Sequence, residues 1–283
     1  MAIGDRTVLN GPGTLRVGCA LWGHRPWVGR FLPATTTAQQ MLAEYSRILP
    51  AVEGNTTFYA VPAEQTVARW AAESSPGFRF VLKFPRRITH ELRLRHCADE
   101  LREFLERIEP LGERLGPTFA QLPPSFRPAD LPALRSFLRL LPAGFVSGVE
   151  VRHRDFFAGG ANERELDEML REHSVDRVIM DARCVHAGPS ETPAEIDEIR
   201  SKPNLPVRPV ATSSQPVVRF IGQVDPAANP AFWEPWIDVC VRWVREGLDP
   251  YVFIHTPDNV ESPRLAQQFA DSVAARAASG APG

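Results

Sequence analysis

Residues 51–58 read Ala51-Val52-Glu53-Gly54-Asn55-Thr56-Thr57-Phe58, a run of strand length in which Glu53, Asn55 and Thr57 alternate with smaller or apolar residues. Side chains on a strand return to the same face every two residues, so these three polar groups are predicted to share one face. Seven further runs of similar length occupy residues 15–22, 78–85, 117–123, 148–153, 176–182, 217–223 and 251–256. They are mostly rich in valine, isoleucine or phenylalanine, the composition of a parallel strand covered on both faces.

Between the runs lie helical stripes. Met41, Leu42, Tyr45, Ile48 and Leu49 form one; Leu101, Phe104, Leu105, Ile108 and Leu111 form another. Leu131, Leu134, Leu138 and Leu141 repeat the spacing, as do Leu166, Met169 and Leu170. Thr192-Pro193, Asn229-Pro230 and Ser262-Pro263 each put a capping side chain before a proline that suits the first helical turn. Gly247 stands where a helix C-terminus wants a glycine. Eight strands alternating with helices predict an α/β protein, a (β/α)8 TIM barrel in one domain over residues 14–279, with tails at 1–13 and 280–283. A doubly wound open sheet is the alternative. One long connection, 186–216, leaves the C-terminal end of the sixth strand, either to cover the active face or as a plain surface excursion.

Composition narrows the function. A net charge of −2 without a basic block disfavours non-specific nucleic-acid binding. No apolar run approaches the ~20 residues of a membrane span, and the first residues lack the pattern of a secretory signal. Four cysteines without CxxC spacing read as reduced thiols of a cytoplasmic protein. Of 32 basic residues only Lys83 and Lys202 are lysine, so a lysine within a strand is no generic cation.

The polar residues inside apolar strands carry the functional signal. Besides Glu53, Asn55 and Thr57 they are Lys83, Gln121, Glu150, Arg152, Asp181, Arg219 and His255, most in the second half of their strands. Barrel active sites are built at that end. Lys83, Arg152 and Arg219 suit a phosphate or carboxylate, the arginines by two-pronged donation. Glu53 or Glu150 beside the lysine suits acid–base catalysis, with Asp181 and His255 as further proton-transfer groups. Lys83 as a Schiff-base nucleophile is a sharper variant. Asn55 and Gln121 offer neutral donors. His90 on the loop after the third strand can reach the rim, and Trp22 either walls a pocket or packs in the core. The opposing reading is a salt-bridge lattice that merely plugs the core. Glu53, Glu150, Asp181 and His255 are also ligand types for a divalent metal, although the interleaved cations oppose one. No P-loop, GxSxG or GxGxxG motif occurs, so no organic cofactor is expected.

Several motifs in order resemble the YecE-like family, domain of unknown function 72. They are Val52-Glu53-Gly54-Asn55-Thr56-Thr57-Phe58-Tyr59 with Pro62, then Thr66-Val67-Ala68-Arg69-Trp70, and Phe80-Val81-Leu82-Lys83 with Ile88-Thr89-His90. Leu115-Gly116-Pro117, Gln121-Leu122-Pro123-Pro124-Ser125-Phe126, Val149-Glu150-Val151-Arg152-His153, Asp181 and Val218-Arg219-Phe220-Ile221-Gly222 continue the match across about residues 17–269. The resemblance implies a TIM barrel and a site at these residues; it names no reaction. Three departures fall at the site: Gly18-Cys19-Ala20-Leu21-Trp22 where the family has Gly-Thr-Ser-Gly-Trp, Ile221 where it has a histidine, and His255-Thr256 where it has asparagines. His255 is expected either to restore the missing imidazole from the next strand or to pack beneath the following loop. The leading expectation is an enzyme, a hydrolase or a lyase or isomerase, acting by acid–base chemistry on a small phosphorylated molecule. The alternatives are a metal-dependent phosphodiester-processing barrel and a non-catalytic anion-binding protein.

Overall fold

A computed structural model describes residues 12–279, so the tails expected at 1–13 and 280–283 lie outside the described residues except for Pro12 and Gly13. The strands are β1 (Arg16–Cys19), β2 (Ala51–Gly54), β3 (Arg79–Leu82), β4 (Thr118–Gln121), β5 (Ser147–Glu150), β6 (Asp176–Arg177), β7 (Ile179–Asp181), β8 (Val217–Ile221) and β9 (Tyr251–His255). The α-helices are α1 (Met41–Ser46), α2 (Thr56–Tyr59), α3 (Glu64–Glu73), α4 (Ala98–Ile108), α5 (Leu131–Leu138), α6 (Ala161–Glu172), α7 (Arg183–Ala187), α8 (Pro193–Ser201), α9 (Pro230–Arg245) and α10 (Ser262–Ala278).

Every strand pairing is parallel, but the ladder is not one closed ring of eight. Six strands run in the order β3-β2-β1-β9-β8-β7, and three form a second sheet, β4-β5-β6. This corrects the closed (β/α)8 barrel expected from the eight runs. Two places break the ladder. Between β3 and β4 only the isolated bridges Phe80↔Leu115 and Lys83↔Phe119 connect the sheets. The run at 176–182 divides at Val178: β6 pairs with β5, and after the break β7 pairs with β8 instead. Side chains take the hydrogen bonds there. The Val217 amide donates to a carboxylate oxygen of Asp176 at 2.8 Å, and the Arg177 amide to the Thr212 hydroxyl at 2.7 Å.

The second expected strand is also shorter than its run. β2 ends at Gly54 and α2 begins at Thr56, so Asn55 and Thr57 do not continue the strand face of Glu53. Thr57 instead holds the Lys83 peptide with its hydroxyl, which accepts from the Lys83 amide at 3.2 Å and lies 2.8 Å from the Lys83 carbonyl. Helix starts follow the prolines only in part. Thr192 caps α8 by accepting from the Glu195 amide, whereas Ser262 is already helical and its hydroxyl meets Thr256 at 2.9 Å. Gly247 takes the positive φ of 85° that ends α9. No helix among the described residues is long and apolar enough to cross a membrane.

The strands separate two apolar layers. A large cluster lies between strands and helices, and a small one gathers Ala51, Val81, Phe119, Val178, Val217, Tyr251 and Phe253 on the opposite strand faces. Gly148 makes room for the small cluster, since a Cβ there would stand 2.7 Å from Val178 Cγ2. Period-two alternation then dictates what lies one step further along each strand. Ala51 is followed on its face by Glu53, Val81 by Lys83, Phe119 by Gln121, Gly148 by Glu150, Val217 by Arg219 and Phe253 by His255. The seven-residue inner layer is thus floored with hydrocarbon and roofed with charge.

Asp176 is fully buried, with one carboxylate oxygen lacking any partner. Burial pushes its carboxyl up to about 8 despite the amides of Val217, Thr212 and Arg177. A folded-state pKa above the unfolded one stabilises fully below pH ~3.8, and that contribution is lost as pH rises through about 8. Asp176→Asn keeps the acceptor for Val217 and removes the titration. Its stability relative to the parent should therefore grow with pH, by about 1–3 kcal/mol near pH ~9. Urea unfolding across the pH range checks this; an advantage that stays flat with pH would refute it.

Candidate active site

The charged layer closes on Arg219. Its Nε and Nη2 donate to the two carboxylate oxygens of Glu53, each at 2.8 Å, and its Nη1 donates to Glu150 at 2.6 Å. Arg152 donates from Nε to the other oxygen of Glu150 at 2.6 Å. His255 Nε2 lies 3.1 Å from Glu53 and Lys83 Nζ 3.4 Å from it, while Nζ also donates to the Gln121 amide oxygen at 2.9 Å. Glu53, Glu150, Arg219 and His255 are all buried, so the network runs in a low-dielectric interior where unpaired charge is expensive.

These neighbours set the protonation states. Burial works to raise the carboxyl of Glu53, but Arg219, His255 and Lys83 outweigh it and hold the group well below the usual range. Glu150 is held down to about 2 in the same way by Arg152, Arg219 and Lys83. Burial and then the Arg219 charge push Lys83 down to about 7. Burial lowers His255 although Glu53 opposes it, so its imidazole is neutral near pH ~7.

Above the network opens a cavity of about 420 Å³, within the range of small-molecule sites. Asn55, Lys83, Gln121, Arg152, Arg219 and His255 line it together. Lys83 Nζ keeps a third donor beyond Gln121 and Glu53, and lies 5.4 Å from the Phe119 ring centre and 5.8 Å from that of Phe58. The outer edge of Arg152 makes only long contacts, 3.5 Å to the Ser201 carbonyl and 4.0 Å to Met180 sulfur.

Other expected residues lie elsewhere. Asp181 turns away: its carboxylate receives Arg183 at 2.7 Å and the Trp236 indole at 2.8 Å, because Met180, not Asp181, shares the face of Val178. Trp22 packs edge-on against Trp70 and Phe80, at 5.3 and 6.1 Å between ring centres. Thr57 braces the Lys83 backbone. His90, pushed down to about 4 by burial and then by Arg152, meets Phe58 and its own neighbour Thr89. Ile221 packs with Ala182 and Val185, while His255 joins the network from the adjacent β9. The four residues named as metal-ligand types do not assemble: Arg219 and Arg152 occupy the carboxylates of Glu53 and Glu150, and no group of three ligating side chains occurs among the described residues.

The long connection supplies what the strand reading lacked. Asp197, Glu198, Ser201 and Lys202, from α8 and the residue after it, form the outer wall, with Phe58, Tyr59 and Asn259 at its side. Lys202 Nζ is 3.5 Å from Glu198, and its carbonyl lies 2.9 Å from His186 Nε2, which ties the end of α8 to α7. Burial lowers the Lys202 amine, with Arg219 adding to the effect. Both lysines of the chain therefore face this cavity; their scarcity was the signal for Lys202 as well as for Lys83.

Parallel strands crowned by an ion network beneath a polar cavity define an α/β protein with its pocket at the strand C-termini. Residues 16–282 match the family described as "Protein of unknown function DUF72", and the chain belongs to that family. The UPF0759 protein YecE of Escherichia coli K12 is 42% identical over 249 residues, covering 88% of this chain and 89% of that protein. The fold is similar to the crystal structure of a DUF72 family protein from Thermotoga maritima, with TM-score 0.68 and 24% identity, covering 91% of this chain and 98% of the other. A DUF72 family protein from Enterococcus faecalis gives TM-score 0.68 at 20% identity over 92% of this chain and 95% of the other.

Arg219→Met should destabilise the protein by about 3–5 kcal/mol, since it strands two buried carboxylates. Adding Glu53→Gln and Glu150→Gln should recover part of that loss in urea titrations; a single-variant cost under ~1 kcal/mol would show that the network does not hold the strand ends together. Competitive acetylation of the two lysines offers a second check. Only the neutral amine reacts, so labelling of Lys83 should rise through a midpoint near pH 7. A midpoint near the ordinary ~10.4 would remove Lys83 as a neutral-pH base.

Proposed function

We propose that the protein is an enzyme acting by acid–base chemistry on a small anionic, phosphorylated molecule. One observation carries this reading: an amine brought down to about 7 keeps a donor position on a cavity whose other cations are Arg152, Lys202 and the carboxylate-bound Arg219. A general base is most effective when its pKa lies near the working pH, and Lys83 meets that condition. Glu53 and Gln121 hold Nζ, while the Thr57 hydroxyl fixes the backbone beneath it. His255, neutral and bonded to Glu53, stands as the second proton carrier.

Arg219 is the structural counter-ion in this scheme. Its fork is filled by Glu53 and Glu150, so the anion falls to Arg152, Lys202 and Lys83, with Asn55 and Asn259 as neutral partners. At the strand ends three cations, Lys83, Arg152 and Arg219, face two carboxylates, Glu53 and Glu150, leaving a surplus positive charge when Lys83 is protonated.

Inorganic phosphate at ~10 mM should raise the melting temperature by mass action on the folded state. Arg152→Met and Lys202→Met should each shrink the rise, and the double variant should abolish it. A rise of the same size in the double variant would move the anion to another part of the molecule.

A further inference from the structure

Lys83 combines features that proton transfer alone does not require. Its nitrogen lies among the rings of Phe58 and Phe119, which restrict water around it. Gln121 and Glu53 fix two of its three donor directions, so the remaining one is aimed rather than swept. Arg152, bonded to Glu150 through Nε with its outer nitrogens in only long contacts, and Lys202, paired with Glu198 at 3.5 Å, line the same cavity and can receive an anionic group. A ligand held there by its phosphate or carboxylate presents its other end to the amine.

We propose that Lys83 forms an imine with an aldehyde or ketone bearing a phosphate or carboxylate group. The inference rests on the anion-pocket reading above and names the substrate class of the same site. In the forward step the Nζ lone pair forms the N–C bond as the carbonyl π pair moves to oxygen. One amine proton passes to that oxygen through Glu53 and His255, giving the carbinolamine. The C–O bond then breaks, the oxygen leaves as water with the second amine proton, and the nitrogen lone pair closes the C=N bond. No oxidant or further reactant is needed, and the amine's near-neutral titration keeps a reactive fraction available without base. The imine nitrogen then takes up a proton from solvent, and the carboxylate of Glu53 near Nζ stabilises the resulting cation as it stabilised the ammonium.

Reductive trapping tests this directly on the full chain. The protein is incubated with dihydroxyacetone phosphate, glycolaldehyde phosphate or pyruvate, reduced with sodium cyanoborohydride, and digested for mass spectrometry. With one internal lysine besides Lys83, the assignment is unambiguous. At least one probe should label Lys83 about tenfold more than Lys202, inorganic phosphate should suppress that labelling, and Lys83→Arg should remove it. Equal labelling of the two lysines overturns the proposal. So does absence of Lys83 label with all three probes while phosphate still raises the melting temperature, an outcome that leaves the anion pocket standing. Absence of both effects overturns the pocket reading too.

Discussion

The two-pronged bond from Arg219 to Glu53, extended to Glu150 by the remaining nitrogen, ties together strands from both sheets. β8 and β2 belong to the six-stranded sheet and β5 to the three-stranded one. Backbone ladders do not join these sheets continuously, so the guanidinium supplies part of the linkage that the peptide groups leave out. The same bonds decide the electrostatics above them. Burial and then the Arg219 charge lower the Lys83 amine against the opposing pull of Glu53 and Glu150, so it gives up its proton more readily.

That arrangement has an energetic logic. A buried ion network is rarely the most stable filling for a core, since hydrocarbon of the same volume avoids the desolvation. Here the hydrocarbon is present one layer down, in the cluster of Phe119, Val178, Val217 and Phe253. At the strand C-termini charge takes its place, on the face that meets the cavity. The network is therefore placed where a polar surface is useful, and its own members are mutually satisfied while an amine and a guanidinium edge are left for a ligand.

Much of this was legible in the chain because strand alternation is simple. A polar residue two places after an inward apolar one must face the same way, and Glu53, Lys83, Gln121, Glu150, Arg219 and His255 all obey it. Asp181 shows where the rule fails. The run Val178-Ile179-Met180-Asp181 is apolar on both faces, so pattern alone does not say which face is inner, and the carboxylate turned out to pair with Arg183 and Trp236. The division at Val178 was hidden for a related reason: side-chain hydrogen bonds from Asp176 and Thr212 replace backbone ones, and hydrophobic periodicity does not register that exchange. The turn at Asn55 was missed because Thr57 closes it through the Lys83 peptide, a contact between residues 26 positions apart.

The cavity has two walls of different origin. Its floor comes from strand ends locked by register, where moving one side chain would disturb a whole ladder. Its outer wall comes from a single excursion that returns to the sheet only at β8 and is bound at α8 by its own cap and by His186. On the function proposed above, chemistry and selectivity fall in separate stretches of the chain. Replacing the residues of 193–202 can exchange the shape and charge of the cavity's outer wall while Lys83, Glu53 and His255 remain as they stand.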